Sequence, residues 1–182
     1  MKRILVVALG ALAMSTNGYS QTADETIARA IMAAPRQLKE GATVIKWKAD
    51  QSYDTLKKGT NRLVCYDRSG EPGQQAFAVQ CTSIANLDRV AQNRKFEAMT
   101  DKGARQAALD AAEKDGTRMK PEFGSVFISM NGADASSTRT HTTIAVPGAT
   151  AQSLGLPDNN KEGGAWIMNA GTSTAHIMTP GH

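Results

Sequence analysis

Two cysteines constrain this chain more than any other feature. Cys65 and Cys81 are the only ones in 182 residues, and each lies in a strand-like run, Arg62-Leu63-Val64-Cys65-Tyr66-Asp67 and Ala76-Phe77-Ala78-Val79-Gln80-Cys81. Between them, Ser69-Gly70-Glu71-Pro72-Gly73 has the composition of a loop. A bond between the cysteines would tie two neighbouring strands together, or a strand to its following loop. An even cysteine count in an exported chain reads as a disulfide framework. The closed loop of roughly 16 residues would stabilise the fold by about 3 kcal/mol if unstrained. No Cys-x-x-Cys is present, which argues against a redox catalyst.

The oxidising compartment follows from the N-terminus. Lys2 and Arg3 precede an apolar stretch from Ile4 to Ala13, and small or turn-forming residues continue to Ser20. That is the layout of a secretory signal peptide over residues 1–20. The stretch is too short to span a bilayer, which takes about 20 apolar residues. Cleavage after Gly18-Tyr19-Ser20 makes Gln21 the mature start, with Ala11-Leu12-Ala13 as the alternative site. No later apolar run is long enough to act as a transmembrane anchor. The expected location is therefore secreted or periplasmic. Removing Lys2 and Arg3 from the 21 basic residues leaves 19 against 17 acidic ones, a balance of +2. Such a balance does not point to nucleic acid.

Residues 21–182 have the length of one globular domain. Thr22-Ala23-Asp24-Glu25 fits a capping box, and Ile27, Ala30, Ile31 and Ala34 follow at helical spacing until Pro35. Ala42 to Ala49 alternates as a strand, with Ile45 and Trp47 on one face and Lys46 and Lys48 on the other. From Ser83 the texture is helical, with Ile84, Leu87, Val90 and Ala91 forming a stripe. Thr100 can cap a second helix, in which Ala104, Ala107, Ala108, Ala111 and Ala112 make an alanine stripe suited to close packing. Ser125 to Met130 and Thr138 to Val146 read as strands. Asn131-Gly132 between them allows either a tight turn or a longer connection. Helix, strands, helices and strands in that order predict an α+β fold with a mainly antiparallel sheet and packed helices.

The chemical motifs are mostly negative. The chain has no HExxH, GxSxG, GxGxxG or GxxxxGK[ST]. Its three histidines, His141, His176 and His182, are too far apart in sequence to suggest a metal site, and no cofactor is implied. A Ser-His-Asp arrangement needs no closeness in sequence, so a hydrolase-like enzyme using His176 or His141 is the alternative reading. Lys46, Lys48, Lys57, Lys58, Arg62 and Arg68 form a basic cluster interspersed with Asp50, Asp54 and Asp67. It reads first as a solvated sheet face. Its functional reading is a weak surface site for an anionic glycan or lipid headgroup.

Two near-copies of one phrase close the chain, Ala165-Trp166-Ile167-Met168 and Ala175-His176-Ile177-Met178. Residues 165 to 169 and 175 to 179 are apolar enough for a hairpin. A five-residue connection sets Met168 opposite His176 and Trp166 opposite Met178; an even-length one shifts the register. Apolar groups on both faces predict strands inside the sheet, with His176 a hydrogen-bonded core residue. On that reading Trp166→Ala costs about 3–5 kcal/mol and His176→Gln little. Trp166 and His176 are also the candidate binding residues if the hairpin is a site instead.

Ala34-Pro35, Ala42-Thr43-Val44, Gly59-Thr60-Asn61…Cys65 and the ending Gly163-Gly164…Trp166-Ile167-Met168…Gly171-Thr172…Ala175-His176-Ile177-Met178 resemble an uncharacterised family of small secreted bacterial proteins. The resemblance implies export and one compact domain. It carries over no catalytic residue. The function expected from the whole is a non-enzymatic binding or structural role outside the cytoplasm.

Overall fold

A computed structural model describes residues 22–180. The predicted leader and His182 lie outside the described residues. Thr22 caps the first helix, α1 (Ala23–Ala30), through the expected reciprocal box with Glu25, and a 3-10 turn over Ile31–Ala33 carries it on towards Pro35. Eight strands then form one sheet. They are β1 (Thr43–Trp47), β2 (Tyr53–Lys57), β3 (Leu63–Asp67), β4 (Phe77–Ser83), β5 (Val126–Gly132), β6 (Arg139–Ala145), β7 (Trp166–Met168) and β8 (His176–Met178). Their spatial order is β2-β1-β3-β4-β5-β6-β8-β7. Every pairing is antiparallel except β1 with β3. The fold is thus α+β around a mostly antiparallel sheet.

Alternation along the strands sorts side chains onto two faces. One face carries Val44, Leu63, Cys65, Phe77, Val79, Cys81 and Ile128, and α1 with its 3-10 turn covers it through Ala30, Ala33 and Ala34. Cys65 and Cys81 sit directly opposite each other on β3 and β4 and form a disulfide within this layer. Of the two arrangements open from the sequence, the cross-strand one is realised.

The opposite face carries Ile45, Val64, Tyr66 and Phe127. It is covered by an excursion between β4 and β5 that contains α2 (Leu87–Glu97) and α3 (Lys102–Lys114). Leu87 and Val90 of α2 enter this second core. Ile84, expected in the same stripe, belongs to the preceding 3-10 turn and is exposed. The N-cap of α3 is Asp101 rather than Thr100. Its alanine stripe is not the close-packing seam predicted. Only Ala112 is buried, while Ala104, Ala107 and Ala111 face solvent. The helix stands off the sheet instead of lying on it.

Asn131-Gly132 continues β5, and the link to β6 is the longer of the two connections considered, with a 3-10 turn at Ala135–Ser137. The C-terminal hairpin takes the first of its two registers, Trp166 opposite Met178 and Met168 opposite His176. It lies at the sheet margin with β7 as the edge strand, not inside the sheet as its apolar faces suggested. The apolar groups find cover locally. Ile167, Ala175 and Val146 form a small core, with Ala149, Ala151 and Leu154 from the segment around α4 (Ala151–Leu154) packed against it.

Candidate functional site

Because α3 stands away from the sheet, a cleft of about 540 Å³ opens beneath it. This lies within the range of roughly 300–1,000 Å³ usual for small-molecule sites. Gln80, Phe127, Thr143 and His176 come from one face of the sheet, Arg89 and Asn93 from α2, and Gln106, Leu109, Asp110 and Glu113 from α3. The last four recur at i, i+3, i+4 and i+7, so they share one helix face, and that face looks into the cleft. Asn169, Thr172 and Thr174 of the β7–β8 connection close one side, and Arg118 and Pro121 the other.

Hydrogen bonds between residues far apart in sequence hold these walls. At the hairpin side, Glu113 accepts from the backbone N–H of Ser173 at 2.7 Å and from its hydroxyl at 2.5 Å. Those two bonds, with a smaller contribution from Arg89 and Arg118, hold the Glu113 carboxyl below the usual carboxylate range. At the α2 side, Arg118 donates to Gln92 Oε1 and to Asn93 Oδ1, both at 2.6 Å. Arg89 donates to the Met119 carbonyl. Gln92 ties the same segment down by accepting from Met119 N–H and donating to the Thr117 carbonyl. The entry to α2 is anchored by Asn86, which is fully buried. Its amide donates to Thr82 and Ser125 hydroxyls and accepts from Glu122 N–H. On the cleft floor, Gln80 Oε1 accepts from the buried Tyr66 hydroxyl at 2.8 Å, leaving its amide N–H groups for the cleft.

His176 lines the cleft half-buried rather than sitting in the core. Its Nδ1 lies 2.8 Å from the Thr174 carbonyl, which can only accept. Nδ1 therefore carries the proton, and Nε2 is the acceptor in the neutral ring. His141 occupies the same sheet face but is four residues along β6 from Ala145, the partner of His176. That separates the two histidines by about 13 Å of strand. The sequence candidates are thus not brought together. Trp166 is half-buried on the edge strand and does not line the cleft.

The basic cluster is largely taken up by local partners. Lys48 pairs with Asp54 at 2.6 Å, and Lys57 donates to the Glu40 carbonyl at 2.8 Å. Arg62 pairs with Glu122, and Arg68 bridges Glu71 and Glu97. Among the described residues, no group of three or more His, Cys, Asp or Glu side chains converges to hold a metal ion, and no helix is long and apolar enough to cross a membrane.

Sequence reasoning missed Arg89, Asn93, Arg118, Gln106, Asp110 and Glu113. The signal that could have found them is the polar i, i+3, i+4, i+7 series of α3, which competes with the alanine stripe of the same helix. No family model, curated protein or solved structure matches the chain.

Proposed function

We propose that this is an exported ligand-binding protein whose site is the cleft beneath α3. The observation that carries the reading is the cleft itself, open, of small-molecule size and lined by hydrogen-bonding groups from five separate parts of the fold. Export is supported by the N-terminal sequence and by the Cys65–Cys81 disulfide.

The cleft lacks a made nucleophile. A Ser, Thr or Cys nucleophile works through a hydrogen bond to its base. Here His176 bonds to a backbone carbonyl, while the Ser173 hydroxyl is buried and given to Glu113. A carboxylate held below its usual range is a poor base at neutral pH. Non-catalytic binding therefore accounts for the arrangement better than hydrolysis. The hydrolase reading keeps one observation in its favour, the presence of His176 in the cleft with Nε2 uncommitted.

A thermal-shift panel of sugars, amino acids, dipeptides, carboxylates and phosphate esters tests the proposal. At least one class should raise Tm in the wild type but not in Thr143→Trp, whose indole fills the cleft floor. A panel without effect, or a shift that survives in Thr143→Trp, contradicts it. Ester turnover abolished by His176→Gln would replace binding by catalysis.

A further inference from the structure

We propose that Arg89 and Arg118 together hold an anionic group, a carboxylate or a phosphate, of the ligand in this cleft. The inference rests on the cleft being a binding site and adds the chemistry of its occupant. Both arginines line the cleft, and both are more than nine-tenths buried, at 7% and 8% exposure. A guanidinium has five N–H donors and stays charged at any physiological pH. Burying such a charge is costly unless it is paired with an opposite one.

Neither arginine is so paired. Among the described residues, all of their hydrogen bonds go to neutral acceptors, the Met119 carbonyl for Arg89 and the Gln92 and Asn93 side-chain oxygens for Arg118. Among the described residues, no carboxylate forms a salt bridge with either. Arginines elsewhere in the fold do find such partners: Arg29 meets Asp67, Arg68 meets Glu71 and Glu97, and Arg94 meets Glu71. Nε and Nη2 of Arg89 and Nε of Arg118 have no hydrogen bond among the described residues. None of these nitrogens is sealed from solvent. Each belongs to a side chain that lines the cleft. Burial, and then the neighbouring charge of Arg118, brings the Arg89 pKa down to about 10, an effect that the Glu113 carboxylate only partly offsets.

The surroundings reinforce the assignment. Gln80 and Asn93 have their amide oxygens occupied by Tyr66 and Arg118, so each turns N–H donors to the same space. The two acidic groups of the cleft belong to α3. Glu113 is bonded to Ser173 in the hairpin connection, and Asp110 accepts from Gln106 near the outer surface. Glu113 offsets part of the charge of the two arginines without bonding to either, and the two carboxylates disfavour a second anionic group on the α3 side. The arginines also tie residues 118–119 to α2, but neutral amides would serve that purpose without the desolvation of two charges.

Side-chain Nε–Hε resonances of arginine, titrated separately with inorganic phosphate and with acetate, read this site directly. The Arg89 and Arg118 signals should shift together and saturably with at least one anion, and the remaining arginines should not. The more effective anion distinguishes phosphate from carboxylate. Arg89→Gln should fold and weaken binding by about ten- to a hundredfold, the worth of charge-assisted hydrogen bonds. Should that variant not fold, Arg89→Lys keeps the charge, loses the fork and should bind with intermediate affinity. Unmoved Arg89 and Arg118 signals, or equal shifts at every arginine, overturn the proposal. An uncharged ligand that perturbs cleft amides and is blocked by Thr143→Trp would leave the binding cleft standing and remove the anion from it.

Discussion

Gly59 shows how much of this fold turns on single side chains. A Cβ there would lie 2.3 Å from the Gly41 carbonyl and 2.4 Å from Thr43 N, both backbone atoms. The approach is used: Gly59 N–H donates to Thr43 Oγ1, and Thr60 and Asn61 N–H both donate to the Gly41 carbonyl. Gly59→Ala should cost about 1–3 kcal/mol by forcing backbone apart, measured by urea melts. Asn86→Ala removes three bonds inside a fully buried network. It should cost about 1–3 kcal/mol for each partner left unpaired, and loosen the entry to α2 with it. In the hairpin the anchor is Ile167, at 1% exposure, rather than Trp166. Ile167→Ala is expected to lose about 2–5 kcal/mol, and half-buried Trp166→Ala less than the 3–5 kcal/mol of an enclosed tryptophan. The same melts decide the order of the two. Both residues were legible as apolar strand positions; which one is enclosed depends on Val146 and Ala175, which strand alternation does not reveal.

At the level of elements, α3 is the part that sequence misread, and the reason is physical. Helical spacing says which residues share a face, not what lies opposite. Two stripes compete on α3, and the polar one wins the inward side because the hairpin connection supplies Ser173 as a partner for Glu113. By contrast, the capping box of α1 was legible, since it is set by residues close in sequence, while the register of β7 with β8 was narrowed only to two alternatives that the length of the connection decides. The Glu113–Ser173 contact is the clasp between helix and hairpin. The pKa of Glu113 in the folded protein lies below its ordinary value of 4.5, because Ser173 donates two hydrogen bonds to the carboxylate. The contribution is therefore present above about pH 4.5 and is lost as the pH falls through the folded-state value. Hydrogen exchange of the α3 amides, taken relative to the intrinsic rate at each pH, should rise on acidification through this range in the wild type. In Glu113→Gln it should already be faster at neutral pH and change less with acid. Equal exchange in both proteins would show that the clasp does not hold the helix.

For the whole molecule, the disulfide and the cleft lie on opposite faces of the sheet. Cys65 and Cys81 close a sequence separation of 16. Reduction should cost about 3 kcal/mol, and non-reducing mass spectrometry should find the native chain two hydrogens lighter than the reduced one. Anion binding should survive reduction so long as the fold does, because the bond lies on the sheet face away from the cleft. The mainly antiparallel architecture could be read from the order of the elements, and the cysteine pairing from an even count of two in a chain read as exported. The cleft could not, since it is built from residues that meet only after α2 and α3 have folded back between β4 and β5. Nothing in the sequence marks Arg89 and Arg118 for the same reason: only tertiary burial distinguishes them from the solvated cations of the surface. The most direct test is an amide-exchange map of the wild-type protein with and without the strongest stabiliser from the panel. The cleft account predicts protection confined to residues 105–113, 117–121 and 169–176. Protection at Lys46 to Lys58 instead, with none beneath α3, would contradict it.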